Sequence, residues 1–170
     1  MAGRVAANLI IGQDGATTLG ASSKALSFPA DRQRFHQLRT EFQAILIGGN
    51  TARNEPYSKT PLPLIVLTRH PLPAKIAENP LAEAWAIDLT DAIPKALSRF
   101  GDLLIEAGPA LFQAAIENGL LTELFITRSN ALGGENLLDL PRLLEHWVEI
   151  TDERVEGGHF LHYRLAPSHE

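Results

Sequence analysis

Four segments of the chain place polar, charged or glycine residues directly after short apolar runs typical of buried strands. These segments are Gly12-Gln13-Asp14-Gly15, Gly48-Gly49-Asn50-Thr51-Ala52-Arg53, Thr68-Arg69 and Glu106-Ala107-Gly108-Pro109-Ala110-Leu111. In an open α/β sheet, ligands bind outside the carboxyl ends of the strands. The spacing therefore predicts a ligand site to which several strand ends contribute.

The segment that follows Glu106 has the plainest physical basis for phosphate binding. A strand, then Gly108, then a helix beginning at Pro109 leaves free backbone N–H groups at the positive end of the helix dipole. Gly49-Asn50-Thr51 repeats the arrangement at another strand end. Each glycine could simply turn the chain, but together they indicate a site for a pyrophosphate or two phosphates. Because neither segment is a P-loop or a GxGxxG fingerprint, the ordinary Rossmann mode of dinucleotide binding is not supported.

The charged residues near these strand ends each leave two interpretations open. Arg69 suits an adenosine 2′-phosphate, which would select NADP over NAD, or is an exposed loop arginine. Glu106 needs a partner if it is buried, either a polar substrate or a neighbouring arginine. Arg39 lies on the first predicted helix, and most arginines on helices are exposed to solvent. Asp14 either takes part in the chemistry or only stabilises the turn after the first strand.

Composition excludes several classes of function. The chain has 170 residues, no cysteine and a formal net charge of −5. The charge argues against a general nucleic-acid binder. The absence of cysteine excludes a disulfide scaffold, an iron–sulfur cluster, a cysteine nucleophile and the Cys-x-x-Cys zinc site of nucleobase deaminases. The six histidines are scattered without the spacing of metal ligands, so we expect no metal.

The elements that must position these residues alternate between strands and helices, which predicts an α/β fold with parallel strands closed by an antiparallel hairpin. Strands are predicted over residues 4–11, 44–47, 64–67, 84–87, 103–106 and 121–128, and the hairpin over 148–155 and 159–165. Helices are predicted from Pro29 to Phe42, near Asn50, over 91–99 with Thr90 as N-cap, and from Pro109 to Asn118. The long segment 12–29 is predicted to be a binding loop. We expect a single domain over 1–170, with no membrane segment and a cytoplasmic location.

Taken in order, these segments resemble the pyrimidine reductase of riboflavin biosynthesis, within the wider dihydrofolate reductase-like family. The resemblance is carried by Gly12-Gln13-Asp14-Gly15, Ser22-Ser23, His36-Gln37-Leu38-Arg39, the run from Ala44 to Arg53, the run from Glu106 to Leu111, the run from Asn118 to Leu124, and Gly133-Gly134. It covers nearly the whole chain. It implies a three-layer fold in which a mostly parallel central sheet carries helices on both faces.

The resemblance also implies an activity, which is the transfer of hydride from NADPH to the ribose C1′ of a phosphoribosylamino-pyrimidine. Hydride transfer depends on positioning more than on an acid–base pair. By position, cofactor would be bound by Ile11, Gly49, Thr51, Arg69 and the run Ala107, Gly108, Pro109, Ala110 and Leu111. Substrate would be bound by Ser23, Arg39, Glu55 and Glu106. Asp14 and Glu106 are the catalytic candidates.

The chain departs from the family pattern among the residues that would bind substrate rather than cofactor. Gly12 stands where many members have serine, Ala25 where many have tryptophan, and Asn54-Glu55-Pro56 shifts the acidic residue before the proline. Two alternatives therefore stay open: a reductase of the same fold with another acceptor such as a pterin, or an NADP-binding module without catalysis. Dihydrofolate reductase itself is less favoured, because the first helix offers Asp31 and Glu41 only near its ends.

The resemblance further implies partners. The deaminase domain often fused to this reductase is not expected here, so a separate deaminase would supply the substrate. A homodimer is expected, because the family often pairs through the terminal sheet region. Residues Phe125, Trp147, Phe160 and Tyr163 would supply an apolar face, or serve as ordinary core.

Overall fold

A computed structural model describes residues 3–106 and 108–167 of the chain. In chain order the strands are β1 (Val5–Ile11), β2 (Ala16–Thr18), β3 (Ala44–Gly48), β4 (Leu64–Leu67), β5 (Ala82–Trp85), β6 (Leu103–Glu106), β7 (Glu123–Ser129), β8 (Glu135–Leu137), β9 (Trp147–Val155) and β10 (Gly158–Leu165). The helices are α1 (Pro29–Arg39), α2 (Gly49–Asn54), α3 (Ala74–Ala77), α4 (Leu89–Phe100), α5 (Pro109–Glu117) and α6 (Leu140–Leu143). No helix within the described residues is long and apolar enough to cross a membrane.

The main sheet has eight strands in the order β5-β4-β3-β6-β1-β7-β10-β9. The first six of these pair in parallel, whereas β10 runs antiparallel to both β7 and β9. The predicted parallel sheet with a C-terminal hairpin is thus confirmed. Strands β2 and β8 form a separate antiparallel pair.

The central strands are apolar on both sides because helices cover both faces of the sheet. On β3, Leu46 points into a core shared with α4 and α5, whereas its neighbours Ile45 and Ile47 point into the opposite core with Ala52 of α2. All three side chains are fully buried. Helix α1 joins that second face through Leu38. The result is the expected three-layer arrangement.

Several predicted boundaries were wrong, for reasons of packing and pairing. Helix α1 ends at Arg39, so Phe42 lies beyond it although Phe42 is buried beside Leu38. Helix α4 begins at Leu89, which packs against the core, and Asp88 rather than Thr90 occupies the N-cap position. Strand β5 covers 82–85 because its register with β4 begins where Leu64 faces Ala82.

The predicted loop over residues 12–29 contains a strand that the sequence did not indicate. Residues 16–18 form β2, and their partner β8 lies more than a hundred residues away along the chain. No local pattern reports such a distant pairing. The pairing closes one side of the site described next.

Candidate active site

A cavity of about 790 Å³ lies at the carboxyl ends of β1 and β6, and we call it the larger cavity. Its walls come from seven elements, which are β1, β2, α1, α2, the end of β6, the start of α5, and β8, and from the segments that follow β2 and α2. The volume falls within the range usual for small-molecule sites, roughly 300–1,000 Å³. The predicted meeting of several strand ends at one site is therefore what the sheet topology produces.

A buried cluster of three side chains forms part of this wall. Both oxygens of Glu106 accept hydrogen bonds from Arg39, from Nε at 2.7 Å and from Nη2 at 2.7 Å. The hydroxyl of Tyr57 donates to Glu106 Oε2 at 2.6 Å. The side chains of Arg39 and Glu106 are only 8% and 3% exposed. The partner of Glu106 within the chain is thus an arginine, as one of the two interpretations predicted.

Burial and charge fix the protonation of the two donors in this cluster. Burial raises the pKa of Tyr57 well above its ordinary value, and the nearby Glu106 charge raises it further. Burial by itself lowers the pKa of Arg39, but the hydrogen bond and charge of Glu106 outweigh that effect, so the pKa is raised. Arg39 therefore stays charged and Tyr57 stays neutral at physiological pH. The guanidinium also lies over the Phe35 ring, 4.2 Å from its centroid.

Ser23 and Glu55 also line the larger cavity and contact each other. One oxygen of Glu55 accepts from the backbone N–H of Ser23 at 2.9 Å, from its hydroxyl at 3.0 Å and from the Ser22 hydroxyl at 3.2 Å. The carboxylate thereby holds the segment after β2 against the end of α2. The neighbouring Ala21 adopts a positive φ of 64° at the same wall.

Four of the predicted phosphate-binding residues lie together. Thr51, Gly108, Pro109 and Ala110 line the larger cavity. A methyl group at Gly108 would lie 3.4 Å from Thr51 Oγ1, so the backbone there runs close to the hydroxyl.

The remaining residues of the same predictions lie elsewhere. Leu111 packs against the core. Ala107 is outside the described residues. Gly49 lines a second cavity of about 300 Å³, which we call the smaller cavity.

The smaller cavity contains a different arginine from the one predicted. Its wall includes Arg53, Thr68 and His70. The side chain of Arg69 is 76% exposed and pairs with Asp88 at 3.1 Å, outside both cavities. Both arginines are exposed, but only Arg53 lines the smaller cavity.

Ile11 and Asp14 lie at the end of β1, outside the residues that line the larger cavity. The Ile11 side chain is 2% exposed and belongs to the core. Asp14 accepts from the backbone N–H of Gly133 at 2.8 Å and of Ala16 at 3.2 Å. These hydrogen bonds lower the pKa of Asp14. Its observed contacts are those of a turn residue.

The sequence did not indicate Tyr57 and Asn136 of the larger cavity, nor its cations Lys24, Arg32 and Lys59. Tyr57 follows Pro56 without any recognisable motif, and its role appears only once its hydroxyl meets Glu106. Asn136 sits on β8 with a positive φ of 55° and donates to the Thr18 hydroxyl at 2.9 Å. Asparagine adopts this left-handed region more readily than most residues other than glycine, which suits Asn136 to this position.

The family is decided by a comparison with protein-family models. Residues 4–157 match the model described as the RibD C-terminal domain. The chain belongs to that family. The resemblance drawn from the sequence is thereby confirmed, and the chain is an oxidoreductase of the riboflavin pyrimidine reductase type, which implies a nicotinamide cofactor. No curated protein sequence matches the chain.

Solved structures agree on the fold. A pyrimidine reductase-like protein from Corynebacterium diphtheriae is 17% identical, with a TM-score of 0.75, and the match covers 98% of this chain and 93% of that one. RibD from Acinetobacter baumannii is 20% identical, with a TM-score of 0.76 and coverage of 96% and 58%.

A third match is the Thermotoga maritima protein named as a diaminohydroxyphosphoribosylaminopyrimidine deaminase and 5-amino-6-(5-phosphoribosylamino)uracil reductase. It is 16% identical, with a TM-score of 0.76 and coverage of 96% and 57%. The chain thus spans a little under three fifths of the two RibD-type proteins.

The buried ion pair leads to a stability prediction. Arg39→Met leaves Glu106 charged and unpaired, so unfolding should become easier by about 3–5 kcal/mol. The double variant Arg39→Met/Glu106→Leu removes both charges and should recover most of that loss. Urea unfolding of the two variants measures the difference. If Arg39→Met lowers the free energy of unfolding by less than about 1 kcal/mol, the ion pair contributes no more than a solvent-exposed pair would.

Proposed function

We propose that the chain reduces the ribose of a phosphoribosylamino-pyrimidine with NADPH, in the larger cavity. The match of residues 4–157 to the RibD C-terminal domain is the observation that carries this proposal. The volume of the larger cavity and the elements that meet there support it. Bound NADPH would supply the hydride that reduces C1′, and the chain would supply orientation and electrostatics.

The start of α5 and the adjoining α2 fit the phosphates of the cofactor. Gly108 brings the backbone close to Thr51, so that main chain at the start of a helix and a hydroxyl belong to the same wall. Pro109 and Ala110 continue this wall. We assign pyrophosphate binding to this surface, together with Ala107 and Leu111 of the same segment. The nicotinamide amide is assigned to the backbone at Ile11, as the family resemblance implies.

The smaller cavity fits the adenosine end of the cofactor. A guanidinium there would pair with a 2′-phosphate, which is the charge that distinguishes NADPH from NADH. Arg53 lies in that cavity with the Thr68 hydroxyl and His70, and Gly49 lets both side chains approach the backbone, since a Cβ there would lie 3.3 Å from Arg53 Nη1 and 3.4 Å from Thr68 Oγ1. We therefore assign the 2′-phosphate to Arg53. Arg69 stays the alternative predicted from the sequence.

We assign substrate binding to cations and hydroxyls that line the larger cavity. Arg39 is already engaged by Glu106, so we assign the substrate phosphate to the exposed cations Lys24, Arg32 and Lys59, which line the same cavity. Ser23 and Arg39 would lie near the ribose or its phosphate as secondary contacts. Glu55 would act by holding Ser23 in place.

The two acidic residues that the sequence marked as catalytic receive different roles. Glu106 faces the larger cavity, and we assign it a hydrogen bond to the substrate. Asp14 holds two backbone N–H groups outside that cavity, and we propose that it acts by fixing the turn after β1. The cytoplasmic location, the homodimer and the separate deaminase implied by the resemblance stay proposals.

The function is tested by a substrate panel. NADPH should raise the unfolding temperature at saturating concentration, because it binds only the folded chain. Absorbance at 340 nm should fall when the phosphoribosylamino-pyrimidine is added and stay constant with a pterin. Stabilisation by NADPH without oxidation in the presence of either acceptor would make the chain a binding module. Failure of NADPH to stabilise the chain would contradict the cofactor assignment itself.

Cofactor selection is tested by two matched arginine variants. Arg53→Ala should lower the ratio of kcat/KM for NADPH to that for NADH roughly tenfold or more, since a hydrogen bond to a charged group contributes about 1.5–3 kcal/mol. Arg69→Ala should leave the ratio within twofold, because Arg69 is exposed and paired with Asp88. The reverse result would assign the 2′-phosphate to Arg69.

A further inference from the structure

The hydrogen bonds to Glu106 leave its two oxygens unequal. Oε2 accepts from Arg39 Nη2 and from the Tyr57 hydroxyl, whereas Oε1 accepts from Arg39 Nε. An ionised carboxylate has about four lone-pair sites, two on each oxygen. Three are occupied by these bonds. Among the donors of residues 3–106 and 108–167, none takes the second lone pair of Oε1, in a carboxylate that lines the larger cavity.

Tyr57 is held rigidly enough to act on this carboxylate. Its side chain is buried, in a cluster with Ile45 and Val66 of the sheet. Its backbone carbonyl accepts from Asn79 Nδ2 at 3.1 Å, and Asn79 is itself buried. The hydroxyl therefore approaches Glu106 from the β3–β4 side, whereas Arg39 approaches from α1.

We propose that Tyr57 is a positioning residue, which fixes the Glu106 carboxylate so that Oε1 accepts an N–H or O–H of the acceptor substrate. This inference rests on the proposed function. Without the hydroxyl, only the Arg39 fork would hold the carboxylate. With it, the carboxylate is held from two separate elements of the fold.

The arrangement also selects the chemistry of the acceptor. A fixed anionic oxygen with one vacant position favours a ring that carries an amino group there. It repels a ring that carries a carbonyl oxygen there, because two acceptors would face each other without water between them. Sites built around a buried hydrogen bond discriminate strongly against analogues that lack it. The amino-substituted pyrimidine of the proposed function meets this requirement.

The test compares Tyr57→Phe with a matched control. Tyr163 is also buried, and its hydroxyl donates to Glu149 at 3.0 Å, on the β9–β10 hairpin away from the larger cavity. Tyr57→Phe should lower kcat/KM for the acceptor at least tenfold, with the loss shared between KM and kcat, while the Kd of NADPH stays within twofold. Tyr163→Phe should leave all of these values within twofold.

A second measurement on the same variants needs no turnover. Proton exchange of the Arg39 Nε–H, followed by NMR, reports how firmly the carboxylate holds its donor. Exchange should be at least tenfold faster in Tyr57→Phe than in wild type and unchanged in Tyr163→Phe. Thermal unfolding of each variant establishes that the fold is kept.

The outcomes separate this inference from the function on which it rests. Unchanged kcat/KM in Tyr57→Phe, an equal weakening of NADPH binding, or unchanged Arg39 exchange would overturn the positioning role. A wild-type chain that does not reduce the pyrimidine, yet shows the faster exchange only in Tyr57→Phe, would contradict the proposed substrate and sustain the fixing of Glu106.

Discussion

The buried ion pair between Arg39 and Glu106 is the interaction on which the site depends. It joins helix α1 to the carboxyl end of β6, and so sets the distance between the helix layer and the sheet where the larger cavity opens. Burying two charges is costly unless their geometry is good and their remaining hydrogen-bonding capacity is satisfied. The two-point contact, the Tyr57 hydroxyl and the Phe35 ring meet all of that condition except for the second lone pair of Glu106 Oε1. A bound acceptor would use the capacity that is left.

The net charge of −5 places a second constraint on a chain proposed to bind several phosphates. Attraction by the whole surface would not draw these anions in, so recognition has to be local. The structure supplies local positive character in two places. One is the start of α5, the positive end of a helix dipole, where Gly108 and Ala110 line the larger cavity with Thr51. The other is the set of arginine and lysine side chains on the walls of the two cavities.

The sequence predicted what depends on local pattern and missed what depends on distant pairing. Apolar runs followed by glycine identified β3, β6 and the start of α5, because buried parallel strands are continuously apolar. The pairing of β2 with β8 had no local signal. The position of Arg69 after a strand predicts a role at the cofactor, yet its exposed side chain pairs with Asp88, and Arg53 lines the smaller cavity instead. Tyr57 belongs to no motif, and only the fold brings it to Glu106.

The proposed function requires that the larger cavity position NADPH for direct hydride transfer to the ribose C1′. Reduction of the phosphoribosylamino-pyrimidine with NADPH deuterated at the transferred C4 position tests this most directly. We predict a ribityl product with one deuterium at C1′, resolved by NMR, and none incorporated from D₂O when unlabelled NADPH is used. Deuterium that enters C1′ from the solvent, or that is absent from the product of the labelled cofactor, would contradict the account.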